Sequence, residues 1–150
     1  MKMKGQTALD FLMTYGWALL LIVLVIGALF ALGIFDINSF LGSRASGFAQ
    51  VGVPAWRIDN TGALTAQFNN RVGSDISVRN VSWTYRGTPG ANNTLNVTVA
   101  NGQTSPTLTL GTISGASAGA SYTLQMTVTY VDLNTNFQYQ SSGTVTGKVG

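Results

Sequence analysis

Apolar residues follow two different patterns along this chain of 150 residues. From Phe11 to Phe35 the sequence has 25 residues without a charge or a proline. Leu, Ile, Val, Ala and Phe fall on every face of a helix there, so the segment has no polar stripe to turn toward water. Because about 20 apolar residues are enough to cross a bilayer, the pattern predicts a membrane-spanning helix. With no proline to interrupt it, this helix is predicted to run from Thr7 to about Leu41.

From about Ser43 onward, short runs of alternating apolar and polar residues are separated by turn residues. Seven such runs are candidate strands: VGVPAWRI, ALTAQFNN, ISVRNVSWTYR, LNVTVA, TLTLGTI, SYTLQMTVTYV and NFQYQSSGTVTG. Short strands at this spacing are typical of an antiparallel sandwich. The predicted fold class is therefore α+β, with a long N-terminal hydrophobic helix followed by an immunoglobulin-like β-sandwich.

Two of these strands allow a prediction of which side chains share a face. Strict alternation over 76–85 divides the strand into two sets of five, and over 122–130 it predicts one shared face. Trp56 and Trp83 are predicted to be core residues rather than platforms for a ligand. The segment from Gly42 to Gly47 is predicted to be a hinge between the helix and the sandwich. The two sets in the first strand are Ile76, Val78, Asn80, Ser82, Thr84 and Ser77, Arg79, Val81, Trp83, Tyr85, and the shared face of the second is Tyr122, Leu124, Met126, Val128, Tyr130.

Composition argues against catalysis. The chain has no cysteine, histidine or glutamate, and its five aspartates are scattered along the sequence. Nucleophilic, acid–base and metal chemistry depend mainly on these residue types being brought together in one place. The sequence therefore predicts a protein that is not an enzyme and that has no cofactor and no metal site.

Charge gives little indication of a nucleic-acid partner. The net charge is +3, and two of the positive charges are Lys2 and Lys4. The five arginines are spaced out rather than clustered, as is usual for solvated surface residues. We expect no nucleic acid among the partners.

The lysines also predict an orientation in the membrane. Lys2 and Lys4 precede the apolar segment, and basic residues favour the cytoplasmic side, so the hundred or so residues after the helix would lie outside. A cleaved secretory signal is the alternative, with Ala28-Leu29-Phe30-Ala31 as a small-x-small site. The apolar run is much longer than the 7–15 residues of an ordinary signal, so an uncleaved anchor fits better.

The stretch KGQTALDF, from Lys4 to Phe11, resembles the start of the archaeal type IV pilins, the family with a class III signal peptide. In that family a short basic leader ends in glycine, followed by glutamine, a small residue and an acid at the fifth mature position. Gly5, Gln6, Ala8 and Asp10 occupy these places here. The continuation MTYGWA, at 13–18, is similar too, and the resemblance extends to about residue 42. Aspartate stands where glutamate is usual, and Thr14 where the family prefers leucine.

The resemblance implies a division of the chain and a set of partners. A prepilin peptidase would cut between Gly5 and Gln6, removing residues 1–5 with both leader lysines. Residues 6–42 would form the helix of the membrane and of the filament core, and residues 43–150 the extracellular domain. Membrane assembly machinery would then build a helical homopolymer, an adhesion pilus that contacts a surface or a cell ligand. An archaellin, the subunit of a motility filament, has a similar layout and is a variant of this hypothesis.

Asp10 has two interpretations. In a filament it would pair with the new amine on Gln6 of a neighbouring copy, neutralising both charges and setting the register. Alternatively Thr7 and Asp10 form a capping box at the start of the helix, and both interpretations can hold together. If capping were the whole role, the protein would be a membrane-tethered monomeric surface adhesin or receptor.

Three asparagines, Asn80, Asn92 and Asn96, fit the N-x-[ST] pattern for N-glycosylation. About two matches are expected by chance among the 11 asparagines of the chain. Asn92 and Asn96 lie near the predicted loop GTPGANNT, whereas Asn80 lies within a predicted strand. We therefore favour Asn92 and Asn96 as candidates.

Overall fold

The computed structural model describes residues 4–32 and 42–150. One helix, α1, spans Lys4–Ala31 and is followed by nine strands. The strands are β1 (Arg44–Ser46), β2 (Val51–Ile58), β3 (Ala63–Asn70), β4 (Ile76–Tyr85), β5 (Thr88–Asn92), β6 (Val97–Val99), β7 (Leu108–Thr112), β8 (Ser121–Asp132) and β9 (Gln138–Lys148). The predicted α+β class is confirmed. Lys2 and the predicted continuation of the helix to Leu41 lie outside the described residues.

The strands form two antiparallel sheets. The larger has the order β1-β9-β8-β4-β5, and β6 also pairs with β4. The smaller has the order β2-β3-β7. Long hairpins dominate the larger sheet, since β8 and β9 pair from Ser121 opposite Lys148 to Val131 opposite Gln138. Chain contacts divide the protein into two compact units, residues 1–37 and residues 38–150.

The sandwich has a hydrophobic core of its own. Buried apolar side chains from both sheets form one cluster, whose members all lie between Val51 and Val149. The predicted common face of β8 is confirmed, since its five members are all buried. Burying each such side chain contributes about 1.5–3 kcal/mol to folding. The large side chains that are most completely buried include Ile58, Leu64, Phe68, Leu124 and Tyr130.

Strict alternation along β4 was a wrong prediction. The pairing of β4 with β8 shifts between Val78 and Asn80, where a β-bulge places one extra residue in β4. Such a bulge reverses which side chains face the core. Ile76 and Val78 are buried before the bulge, and Val81, Trp83 and Tyr85 are buried after it.

Two strands lie in segments that had been predicted to be irregular. β1 falls in the predicted hinge and pairs with β9, with Arg44 opposite Thr146. β5 falls in the predicted loop GTPGANNT and pairs with β4 from Tyr85–Thr88 to Val81–Asn92. Both strands are short and contain few apolar side chains, so their backbone pairing with a longer neighbour defines them.

Trp83 is a core residue, as predicted, with 6% of its surface exposed. Its ring lies against Gly90 of β5 and Gly111 of β7, where an added Cβ would come within 2.5 Å and 2.8 Å of ring atoms. Trp56 is half-buried, packs against the core and donates its indole N–H to the carbonyl of Thr146 at 3.2 Å. The two glycines therefore make room for Trp83 where β5 and β7 approach each other.

The sandwich has two ends that differ in connectivity. The chain enters it at Gly42 and Ser43, next to the last residues of β9, and we call this the entry end. The turn after β4, the start of β8 and the end of β2 also lie there, since Ser121 pairs with Lys148 and Gly150 N–H donates to Ile58 at 2.9 Å. The opposite end, which we call the far end, has the β8–β9 turn and the loop before β4, joined by Leu133 N–H donating to Asp75.

Candidate functional site

The surface of α1 is apolar and exposed. Apart from the half-buried Leu29, its large apolar side chains have between 44% and 76% of their area accessible, from Ile26 at the lower limit to Met13 at the upper. An 18-residue window within Gly5–Ala31 has a mean hydropathy of 2.3, and no residue of that window is buried. By length and composition this helix is able to cross a membrane. It is compatible with a membrane anchor or a signal sequence.

The predicted cleavage junction lies in the first turn of α1. The described part of α1 begins at Lys4, so the Gly5–Gln6 peptide bond lies in its first described turn. Both residues are exposed, and a Cβ placed on Gly5 would meet nothing within 4 Å. Because glycine costs about 1 kcal/mol relative to alanine in a helix, this turn is less stable than one without glycine. The junction is thus exposed on the helix surface.

Asp10 lies inside the helix and not at its cap. Because α1 starts at Lys4, Thr7 is not its N-cap, and the first turn contains no acidic residue. The predicted capping box at Thr7 and Asp10 is therefore wrong for the intact chain. The Asp10 carboxylate is left exposed on the second turn.

Thr14 lies one turn beyond Asp10 on the same face of the helix. Its hydroxyl donates to the Asp10 carbonyl oxygen at 2.8 Å, which leaves the lone pairs of the hydroxyl oxygen free to accept. A carboxylate and a hydroxyl oxygen are thus offered one turn apart on the same face of the helix. In the sequence, Thr14 stood out only as a departure from the family pattern, although its i, i+4 spacing from Asp10 was the signal that could have found it.

Cations that could neutralise Asp10 are scarce in this part of the chain. Between Gly5 and Ser43 the sequence has no lysine or arginine. If Lys2 and Lys4 leave with the leader, the only positive charge that remains before Arg44 is the α-amine of Gln6. A carboxylate in lipid or in a dry helix bundle is costly unless it is paired. The sequence around Asp10 therefore favours an amine as its partner.

The three candidate glycan acceptors differ in accessibility. Asn80 is half-buried within β4, and its buried Oδ1 has no hydrogen-bond partner in the described part of the chain. Asn92 ends β5 and its Nδ2 donates to the carbonyl of Leu110 at 3.0 Å, so a glycan on Nδ2 would compete with that bond. Asn96 is exposed just before β6 and accepts from Ser77 through Oδ1 at 3.0 Å, with its Nδ2 pointing to no acceptor among the described residues. By geometry Asn96 is the most available acceptor.

The sandwich surface carries shallow grooves. One of about 470 Å³ is open to solvent and lies beside β4, β5 and β8. No charged side chain lines it, and its walls come from Ser82, Trp83, Thr84, Pro89, Gly90, Ala91, Gln125 and Thr127. Over residues 4–32 and 42–150, no three His, Cys, Asp or Glu side chains come together as they would around a metal ion.

Comparison with known proteins gave no relatives. No protein-family model matches the chain, no curated protein matches it, and no solved structure resembles it.

Proposed function

We propose that this protein is the structural subunit of a type IV pilus, processed after Gly5 and polymerised through its N-terminal helix. The observation that carries the proposal is the apolar surface of α1, none of which is buried between Gly5 and Ala31. Apolar side chains that are exposed on every face of a helix need an apolar environment other than water. Before assembly the lipid bilayer would supply it, and in the filament the helices of other copies would. The precursor would sit in the cytoplasmic membrane with its N-terminus inside, and the sandwich would be displayed outside.

Asp10 supports the proposal because its charge needs a partner. After cleavage, the amine of Gln6 carries three N–H donors, and Asp10 and Thr14 of a neighbouring copy offer acceptors one turn apart. Gln6 and Asp10 are four residues apart, which is about 6 Å along a helix. If the amine of one copy is level with the carboxylate of the next, parallel neighbours would be offset by about 6 Å along their axes. One pair would thereby fix the register of a contact that is otherwise apolar and unspecific.

The first test is the N-terminus and intact mass of protein sheared from its native cells. We expect a mature chain that starts at Gln6 and is recovered from filaments, with any mass above that of the polypeptide reporting glycans. A chain that still starts at Met1 and stays with the membrane would contradict the proposal. That result would instead favour a membrane-tethered monomeric adhesin or receptor.

A further inference from the structure

Charge is unevenly distributed between the two ends of the sandwich. The half toward the entry end carries four cationic side chains and one anionic side chain, Arg44, Arg57, Arg86, Lys148 and Asp59. The half toward the far end carries two of each sign, Arg71, Arg79, Asp75 and Asp132. The sandwich's entire excess of positive side-chain charge therefore lies at the end where the chain enters from α1.

Each of the four cations at the entry end is exposed. Arg44 pairs through its backbone with Thr146 in the larger sheet, and Lys148 ends the neighbouring strand opposite Ser121. Arg57 lies on the smaller sheet, two residues from Asp59 and beside Gly150. Arg86 follows β4 in a turn, with its guanidinium 5.3 Å from the ring of Tyr85. The cations thus come from both sheets and surround the end of the sandwich rather than lying along one face.

The rest of the entry end has few bulky or acidic side chains that would keep a negatively charged surface at a distance. The segment 113–120 there, ISGASAGA, has only one side chain larger than serine, and that side chain, Ile113, is buried. Asp59 is the one acid of this end, and its carboxylate accepts from Thr61 and Ala63. Four exposed cations and one acidic side chain give this end a positive charge that would attract a surface of phosphate groups.

We infer that the entry end of the sandwich binds the phosphate groups of anionic lipids while α1 is still in the membrane. This inference rests on the proposed function, because it requires α1 to be in a bilayer. Only nine residues, 33–41, separate the last described residue of the first segment from Gly42, so the sandwich is tethered to α1 by its basic end. Each basic residue near an anionic membrane surface contributes about 1 kcal/mol of attraction to it. The contact would hold the sandwich against the headgroups before assembly, and filament formation would then have to release it.

The test uses the full chain reconstituted in nanodiscs of phosphatidylcholine alone or with phosphatidylglycerol. Since the chain has no cysteine, a single dye can be placed at Ser117→Cys, in segment 113–120, or at Asn134→Cys, at the far end. Energy transfer to an acceptor on the headgroups reports the distance from the bilayer. We expect transfer from position 117 to rise with phosphatidylglycerol. It should fall in 0.5 M salt, about three times physiological ionic strength, where the Debye length is only about 4 Å. Position 134 should show no such rise.

Charge variants then separate this contact from a general effect of net charge. Replacing Arg44, Arg57, Arg86 and Lys148 by glutamine should lower the ratio of bound to free sandwich at least about 100-fold on anionic nanodiscs. Arg71→Gln with Arg79→Gln removes two charges at the far end, and Arg44→Gln with Lys148→Gln removes two at the entry end. Of these matched pairs only the entry-end one should lower the ratio, by about 10-fold or more. If the chain co-floats with the lipid but transfer from position 117 is equal with and without phosphatidylglycerol, the lipid-binding inference is overturned. The proposed function would not be affected by that result. A chain that does not co-float would instead contradict the membrane stage of the proposed function.

Discussion

The sandwich of this protein buries its apolar side chains, whereas the helix leaves its apolar side chains exposed. In the sandwich, Leu124 on β8 has none of its surface exposed, because two sheets close over it. In α1, Leu24 has 64% of its surface exposed. A sandwich that buries its own core has what it needs to fold in water, whereas the apolar side chains of α1 are left exposed. This chain therefore carries one unit with a core of its own and one helix without a core.

Asp10 gives the strongest test of this contrast, because it is the one charge on the described helix after Gly5. Asp10→Asn keeps the shape and removes the charge, and we expect filament yield to fall at least about 100-fold, since an unpaired buried charge costs about 3–5 kcal/mol. Asp10→Ala should likewise prevent assembly or disturb the register. Filament yield is measured by electron microscopy and by the mass of sheared protein.

Two control variants accompany this experiment. Asp10→Glu restores a carboxylate and should restore filaments, while Asp75→Asn removes a carboxylate from the sandwich and should leave assembly intact. Normal filaments from Asp10→Ala would show that the carboxylate has no role in assembly and that the apolar faces of α1 alone are sufficient.

Matched leucine-to-alanine changes compare the two units directly. Leu124→Ala removes a fully buried side chain and should lower the free energy of unfolding of the sandwich by about 2–5 kcal/mol. Leu24→Ala should change that free energy by less than about 0.5 kcal/mol, since Leu24 is not a member of the sandwich core. Urea unfolding followed by the far-ultraviolet strand signal measures both in detergent. For filament stability the larger effect should come from Leu24→Ala instead of Leu124→Ala. Leu24→Ala should lower the temperature at which filaments disassemble. Equal effects on the sandwich would contradict its independence from α1.

Local sequence was sufficient for much of the fold. α1 could be predicted because its signal, apolar composition without proline, is contained in the segment itself. The faces of β8 could be predicted for the same reason, since Tyr122 to Tyr130 alternate without a bulge. β5 could not, because Pro89 and Gly90 are turn residues and only pairing with β4 makes them a strand. The bulge near Arg79 also depends on pairing with β8, and no local residue type marks it.

The candidate site was predictable to a lesser extent. The Gly5, Gln6 and Asp10 pattern was legible because such a junction is a contiguous motif. The start of the helix at Lys4 was not, since a favourable N-cap at Thr7 does not prevent three further residues from being helical. The bond from Asn92 to Leu110 joins residues 18 positions apart on different sheets, so the sequence pattern N-x-T gave no sign that this amide is already engaged.

Gly90 gives a smaller effect, confined to the sandwich. A Cβ at this position would lie 2.5 Å from the Trp83 ring, so Gly90→Ala should cost about 1–3 kcal/mol of stability by overpacking. Trp83→Phe shortens the ring system, and the double variant should be less destabilised than the sum of the two single variants by about 1 kcal/mol or more. Urea unfolding of the four proteins gives the coupling. Strict additivity would mean that β5 moves away from Trp83 at no cost.

The smallest expected effect is the response of the sandwich to pH. Hydrogen bonds from the Thr61 hydroxyl and from Ala63 N–H lower the pKa of Asp59 below its ordinary value of 3.8, and the Asn134 N–H does the same for the pKa of Asp132. These lowered values stabilise the fold above pH 3.8, and that contribution is lost as the pH falls further.

Burial raises the pKa of Tyr122 and of Tyr130 above 10.0, so their contribution is present below pH 10.0 and is lost as the pH rises beyond it. We therefore expect the midpoint of urea unfolding to be flat between about pH 5 and 9 and to fall on both sides. Tyr122→Phe should flatten the alkaline fall. A midpoint that varied strongly near pH 7 would contradict the assignment of these four groups.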